Sequence, residues 1–231
     1  MTSNKTIRLI LIVAFACSSS LAISDQSTST TDDRPPRKGR AKWYAQQAKN
    51  RGEYVLTLPS AIYDYDGGNM DLPDTLHYYD VLITEVVSSH VIARDADIAT
   101  WYRVRMLETL HRRATSSTRD IDIPPDLPGL SSGELWAISP GGKMVVDDVQ
   151  LRSPLQSPLT VGSKYLFFAV PTASGVALTA GGPQGLFLIG DNGNLSSVAG
   201  KTRLALAIET SANGNLQLLR EVIRRIEQSS L

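Results

Sequence analysis

The sequence predicts a mainly β domain, a small antiparallel barrel or sandwich, with a short helix before it and an amphipathic helix after it. Three observations carry this reading. Val81-Leu82-Ile83-Thr84-Glu85-Val86-Val87 is β-branched and largely apolar, as in a strand buried on much of both faces. Residues 101–107 alternate, with Tyr102, Val104 and Met106 in one set and Trp101, Arg103 and Arg105 in the other. From Glu134 onward, short apolar runs recur between Gly- and Pro-rich turns, the spacing of a small barrel or sandwich.

Residues 1–22 read as a signal peptide. Lys5 and Arg8 give a positive start, and residues 9–16 form an uninterrupted apolar run. A membrane-spanning helix needs roughly 20 apolar residues, so this run is too short to cross. A short apolar core followed by small residues is the pattern of a cleaved secretory signal. Ser20-Leu21-Ala22 offers a site that releases a chain starting at Ile23, whereas Ala14-Phe15-Ala16-Cys17 resembles a bacterial lipobox in which Cys17 would be acylated.

A linker is expected over residues 23–42. Its Ser/Thr run leads to Asp32, Asp33, Pro35 and Pro36, too little apolar surface to order itself. Arg34, Arg37, Lys38, Arg40 and Lys42 form a basic cluster there, read as a solvated tether or as a contact for a polyanion. Residues 43–77 are helix and irregular lead-in. The helix should run from about Lys38 to Asn50 and stop at Gly52, and residues 54–58 have the composition of a strand. Asp64, Asp66, Asn69, Asp71 and Asp74 then gather around Gly67-Gly68. Calcium loops use such oxygen clusters, but Asn69 stands where the helix–loop–helix pattern needs glycine and Thr75 where it needs glutamate. The cluster is read as a polar turn, and no metal site is assigned.

The β domain is expected over residues 78–200. The strands at 81–87 and 101–107 are joined through a polar turn near residues 94–97 into a long hairpin. Residues 112–132, with Pro124, Pro125 and Pro128, read as an exposed loop. Strands follow at 134–138, 143–146, 164–170, 176–179 and 186–189. Residues 201–231 form a C-terminal strand and helix extension. In it Leu216, Leu219, Val222, Ile223 and Ile226 share one helical face, and Asn213 or Asn215 caps the start. That helix is expected to cover an open end or edge of the sheet.

The segments at 79–87, 102–109, 161–168 (Val161-Gly162-Ser163-Lys164-Tyr165-Leu166-Phe167-Phe168) and 181–187 (Gly181-Gly182-Pro183-Gln184-Gly185-Leu186-Phe187) together resemble uncharacterised small secreted bacterial proteins. Those are similar to OB-like barrels of the netrin and metalloproteinase-inhibitor type. The resemblance covers roughly residues 78–190 and implies an OB-like fold. It implies no catalytic motif. The inhibitor modules depend on N-terminal cysteines, and a chain cleaved at Ala22 has none, so protease inhibition is not implied.

Charge and chemistry narrow the functional classes. Removing residues 1–22 takes Lys5 and Arg8 from the 23 basic residues, leaving 21 against 23 acidic, a formal charge of −2. Near neutrality gives no general attraction to nucleic acid, and a membrane contact is expected only through an acylated Cys17. Cleavage at Ala22 also removes the single cysteine, so the domain relies on its core and not on disulfides. Gly129-Leu130-Ser131-Ser132-Gly133 matches a serine-hydrolase pattern, yet His77, His90 and His111 all precede Ser131, against the chain order of that triad. Ala199-Gly200-Lys201-Thr202 imitates the end of a phosphate loop, with Leu195 where its first glycine belongs. No cofactor is called for. The candidate binding residues are Trp101, Arg103 and Arg105, an aromatic beside two guanidinium groups that can stack on a base, sugar or carboxylated glycan. The expectation is an exported, non-enzymatic binding module of the bacterial envelope or extracellular space, with an envelope protein or glycan as partner. The alternatives are a hydrolase using dispersed carboxylates such as Glu85, Glu108 or Asp147-Asp148, and a lipoprotein anchored through Cys17.

Overall fold

Two fifteen-residue strands organise the chain: β2 (Asp80–Arg94) and β3 (Asp97–His111) pair antiparallel along their length. Register shifts between Val81 and Leu82, between Ile83 and Thr84 and between Val86 and Ser88 interrupt the ladder. Bulges of this kind bend and twist a strand, which lets a hairpin this long curl rather than lie flat. The computed structural model describes residues 40–58, 70–94, 97–113, 121–154 and 158–229. The expected signal peptide, Cys17, most of the expected linker and Asp64, Asp66 and Asn69 lie outside the described residues.

Five strands pair in a circuit. β4 (Glu134–Pro140) lies antiparallel to β3, and β7 (Lys164–Pro171) lies antiparallel to β2. β8 (Val176–Thr179) joins them, antiparallel to β7 and parallel to β4. β9 (Leu186–Ile189) and β10 (Leu195–Ser197) extend the sheet beyond β7. A second sheet has the order β1 (Val55–Thr57), β6 (Val149–Ser153), β5 (Gly142–Val146).

β2 and β7 are buried on both faces, as the apolar run at 81–87 implies. Leu82, Val86 and Phe167 pack with Tyr102, Val104 and Tyr165 in one cluster. Val81, Ile83, Leu166 and Phe168 point the other way, against α3 (Arg203–Ala212) and α4 (Leu216–Ser229) through Leu204, Ile208, Leu219 and Ile223. Each large side chain buried this way contributes about 1.5–3 kcal/mol of transfer free energy. Helix α1 (Arg40–Asn50) sets Ala45 and Ala48 against Val149 and Leu151 of the second sheet. Among the described residues, no helix is long and apolar enough to cross a membrane.

The differences from the expected layout have local causes. α1 spans Arg40–Asn50, close to the expected run from about Lys38, with Gly52 after it at φ 73°. α2 (Leu72–Tyr78) was not expected: Asp71 accepts a hydrogen bond from the Asp74 N–H and caps it, so two of the clustered acids serve a helix start. The C-terminal extension holds two helices, α3 and α4. Thr202 caps α3 by accepting from the Ala205 N–H, Asn213 ends it at φ 50°, and Asn215 caps α4 by accepting from the Gln217 and Leu218 N–H groups. α4 lies on the face of the sheet rather than over an open end. The loop expected to be exposed is in part a cover: Pro124 and Leu127 are buried, and Ile121, Ile123 and Leu130 pack beside them.

Polar ties hold α4 in place. His111 sets Nδ1 2.7 Å from Glu227 of α4 and Nε2 2.7 Å from the Leu76 carbonyl of α2. Arg220 donates through both terminal nitrogens to Glu108, one bond at 2.7 Å. Those bonds hold the Glu108 carboxyl below its ordinary value. A depressed carboxylate contributes stability that is present above the unfolded value and lost as pH falls through the folded one. Glu108→Gln is therefore expected to be slightly less stable than wild type near neutrality and to converge with it as pH falls through the lowered folded value of Glu108, read by urea denaturation across pH.

Candidate functional site

Trp101, Arg103 and Arg105 do share a face of β3, as their alternation implies, but the fold gives that face other partners. Trp101 is 3% exposed. Its ring meets Trp136 of β4 edge-on, centroids 6.3 Å apart, and His90 of β2 packs on Trp136 at 5.6 Å. Leu127, Val176, Ile121, Ile123 and Leu130 belong to the same cluster. With its ring covered, Trp101 has no face on which a ligand can stack. Arg105 belongs to a row that alternates in charge across four strands, the register pairing Lys164 with Glu85, Glu85 with Arg105, and Arg105 with Glu134. Arg105 stands 3.5 Å from Glu85, and Arg103 Nε stands 3.9 Å from Glu134, which also accepts the Ser131 N–H at 2.9 Å. Opposite charges directly across a sheet stabilise it, so this row reads as a ladder of ion pairs.

The carboxylates considered for hydrolysis do not converge. Glu85 is paired with Arg105 and Glu108 with Arg220. Asp147 and Asp148 form the turn between β5 and β6 at φ 47° and 65°, with Asp148 3.7 Å from Lys49. Ser131 lies in the turn ahead of β4, where its N–H donates to Glu134. Among the described residues, no group of three or more His, Cys, Asp or Glu side chains is placed to hold a metal ion.

A cleft that sequence reasoning missed lies where the far half of the hairpin meets the second sheet. Ser89 is opposite Tyr102, and Val91 is opposite Thr100. Gly142, Lys143, Arg152 and Ser153 approach them from β5 and β6, and the space between is about 510 Å³, within the usual range for small-molecule sites. The approach depends on Gly142. Its φ is 144°, and a Cβ there would stand 2.8 Å from Thr100 Oγ1 and 3.0 Å from Val91 Cγ1. The Thr100 hydroxyl donates to the Gly141 carbonyl at 2.8 Å, which ties the two sheets together beside the cleft. Tyr102 accepts the Leu159 N–H at 3.2 Å. Burial pushes its phenol up, so it stands in the wall as a neutral hydroxyl. Val91, Pro154 and Leu159 supply carbon, and the rim carries Lys143 and Arg152, which face each other directly in register. Spaces of about 590 and 600 Å³ beside α3 and α4 are larger. The one beside α4 is spanned by the Glu108–Arg220 pair, whereas the cations at the cleft have no carboxylate partner among the described residues.

No protein-family model, curated protein or solved structure matches the chain.

Proposed function

We propose that this chain is an exported, non-enzymatic binding module of the bacterial envelope or extracellular space, built on an OB-like barrel and holding a small ligand in the cleft between β2–β3 and the second sheet. The observation that carries the binding reading is the cleft itself: an apolar wall, hydroxyls at Ser89 and Ser153, and two adjacent cations at its rim. Concave, mostly apolar sites with a few converging polar groups are where small molecules bind. The barrel reading draws support from the circuit β2–β3–β4–β8–β7, closed by the parallel pairing of β4 with β8. In OB folds the second and third strands and the loop between the first two contribute to binding. The export reading rests on residues 1–22.

Native mass spectrometry of the exported product, purified from its source beside a Ser89→Trp variant, tests both parts. The expected result is a chain starting at Ile23, with a small-molecule adduct on the wild type that the variant lacks. An acylated Cys17 start would replace the soluble form with an anchored one. A start at Met1 would overturn export. An adduct equally present on both forms, or on neither, would overturn binding in the cleft.

A further inference from the structure

We infer that the cleft takes an amphipathic anion, an alkyl chain ending in a carboxylate or phosphate, and that Lys143 and Arg152 bind its head group. The inference rests on the cleft being the binding site, as proposed above. Thr57, Arg152 and Lys143 stand in one cross-strand row of the second sheet, the last two directly opposed. Like charges placed opposite each other destabilise a strand pair unless something neutralises them. Among the described residues, neither cation forms an ion pair with a carboxylate. Arg152 Nε instead donates at 2.7 Å to the amide oxygen of Gln150, a neutral acceptor that orients the guanidinium without discharging it. An anion shared by the two side chains satisfies both, with a planar fork on one side and a point charge on the other.

The rest of the wall determines what kind of anion fits. Val91, Pro154, Leu159 and the ring of Tyr102 line the space, and the hydroxyls of Thr100 and Tyr102 are already engaged with backbone groups. A sugar or nucleotide needs many polar partners along its body, and beyond the hydroxyls of Thr57, Ser89 and Ser153 this wall offers mostly carbon. A chain buried against that carbon with its charge at the rim matches both halves of the site. A cationic amphiphile would meet the Lys143–Arg152 pair as a third like charge.

Calorimetric titration of the folded protein with decanoate, decyl phosphate and the neutral 1,2-decanediol tests this, each below its micelle-forming concentration. The wild type is expected to bind at least one anion roughly 10- to 100-fold more tightly than the diol, the range expected of a charge-assisted contact. The tighter of the two anions identifies the head group. Lys143→Gln/Arg152→Gln should lose that preference while keeping its affinity for the diol, with a thermal midpoint no lower than that of the wild type. Ser89→Trp should lose all three ligands. A wild type that binds the diol as tightly as the anions, or a double variant that keeps the preference, overturns the inference while leaving the cleft as the site. Anion binding that survives Ser89→Trp unchanged overturns the cleft reading as well.

Discussion

Trp136→Ala is expected to cost about 3–5 kcal/mol, the range for emptying a buried aromatic site. Trp136 is 1% exposed, lies between the rings of Trp101 and His90, and belongs to the cluster with Leu127 and Val176. Two consequences follow from that position. The sheet loses its packing where β4 joins β8, and the cover formed by residues 121–130 loses the surface it sits on. Stability of small domains totals about 5–15 kcal/mol, so the variant should unfold at markedly lower urea and be cut early within residues 121–133 by a trace of protease. Equilibrium unfolding followed by far-ultraviolet circular dichroism reads the first effect, and mass analysis of the first protease fragments reads the second. A variant as stable as wild type, with the segment uncut, would mean that this cluster does not hold the cover.

Gly142→Ala should be nearly as damaging and should couple the fold to the site. A non-glycine residue at φ 144° costs about 1–3 kcal/mol in backbone strain alone. The new methyl also stands 2.8 Å from Thr100 Oγ1, the hydroxyl that ties the sheets together beside the cleft. The expected result is a lower unfolding midpoint together with weakened decanoate binding. Thr100→Ala removes the oxygen but not the backbone strain, and gives up the hydrogen bond to Gly141, so Gly142→Ala should cost less on a Thr100→Ala background than on wild type without becoming free. No cost on that background would place the whole loss in the side-chain contact, and an unchanged cost would place it in the backbone.

The strands were legible because their signals are local. The apolar run at 81–87 shows burial on two faces without reference to anything distant, and β2 does bury both. The length of β2 was not legible: it continues through Ser88, Ser89 and His90 because they pair with Arg103, Tyr102 and Trp101 across the hairpin, a property of the partner strand. α3 carried its own cap at Thr202 and the apolar residues Leu204, Leu206 and Ile208, but that run is short enough to read as a strand ahead of the C-terminal helix. α2 was concealed by Asp71, whose carboxylate can be read as a ligand or as a cap.

The site divides the same way. The common face of Trp101, Arg103 and Arg105 follows from a period of two, but its exposure depends on residues 121–130 and on β4, which reach it only in the fold. The cleft draws on Thr57, Ser89, Thr100, Gly142 and Arg152, which come from separate stretches of chain. No window of sequence contains them together. The opposition of Lys143 and Arg152 requires the register of β5 on β6. Gly142 was the one local sign, and beside Pro140 and Gly141 it reads as a turn residue.

The most direct test of the central claim is a two-dimensional amide spectrum of the isotope-labelled domain, recorded while decanoate is added. Binding in the cleft requires the amides of Ser89, Val91, Thr100, Gly142 and Lys143 to shift together and saturate with one dissociation constant, while the Trp101 and Trp136 indole signals stay in place. Shifts centred on Arg103, Arg105 and the indoles, with the cleft amides unmoved, would return the binding surface to the strand face and contradict binding in the cleft.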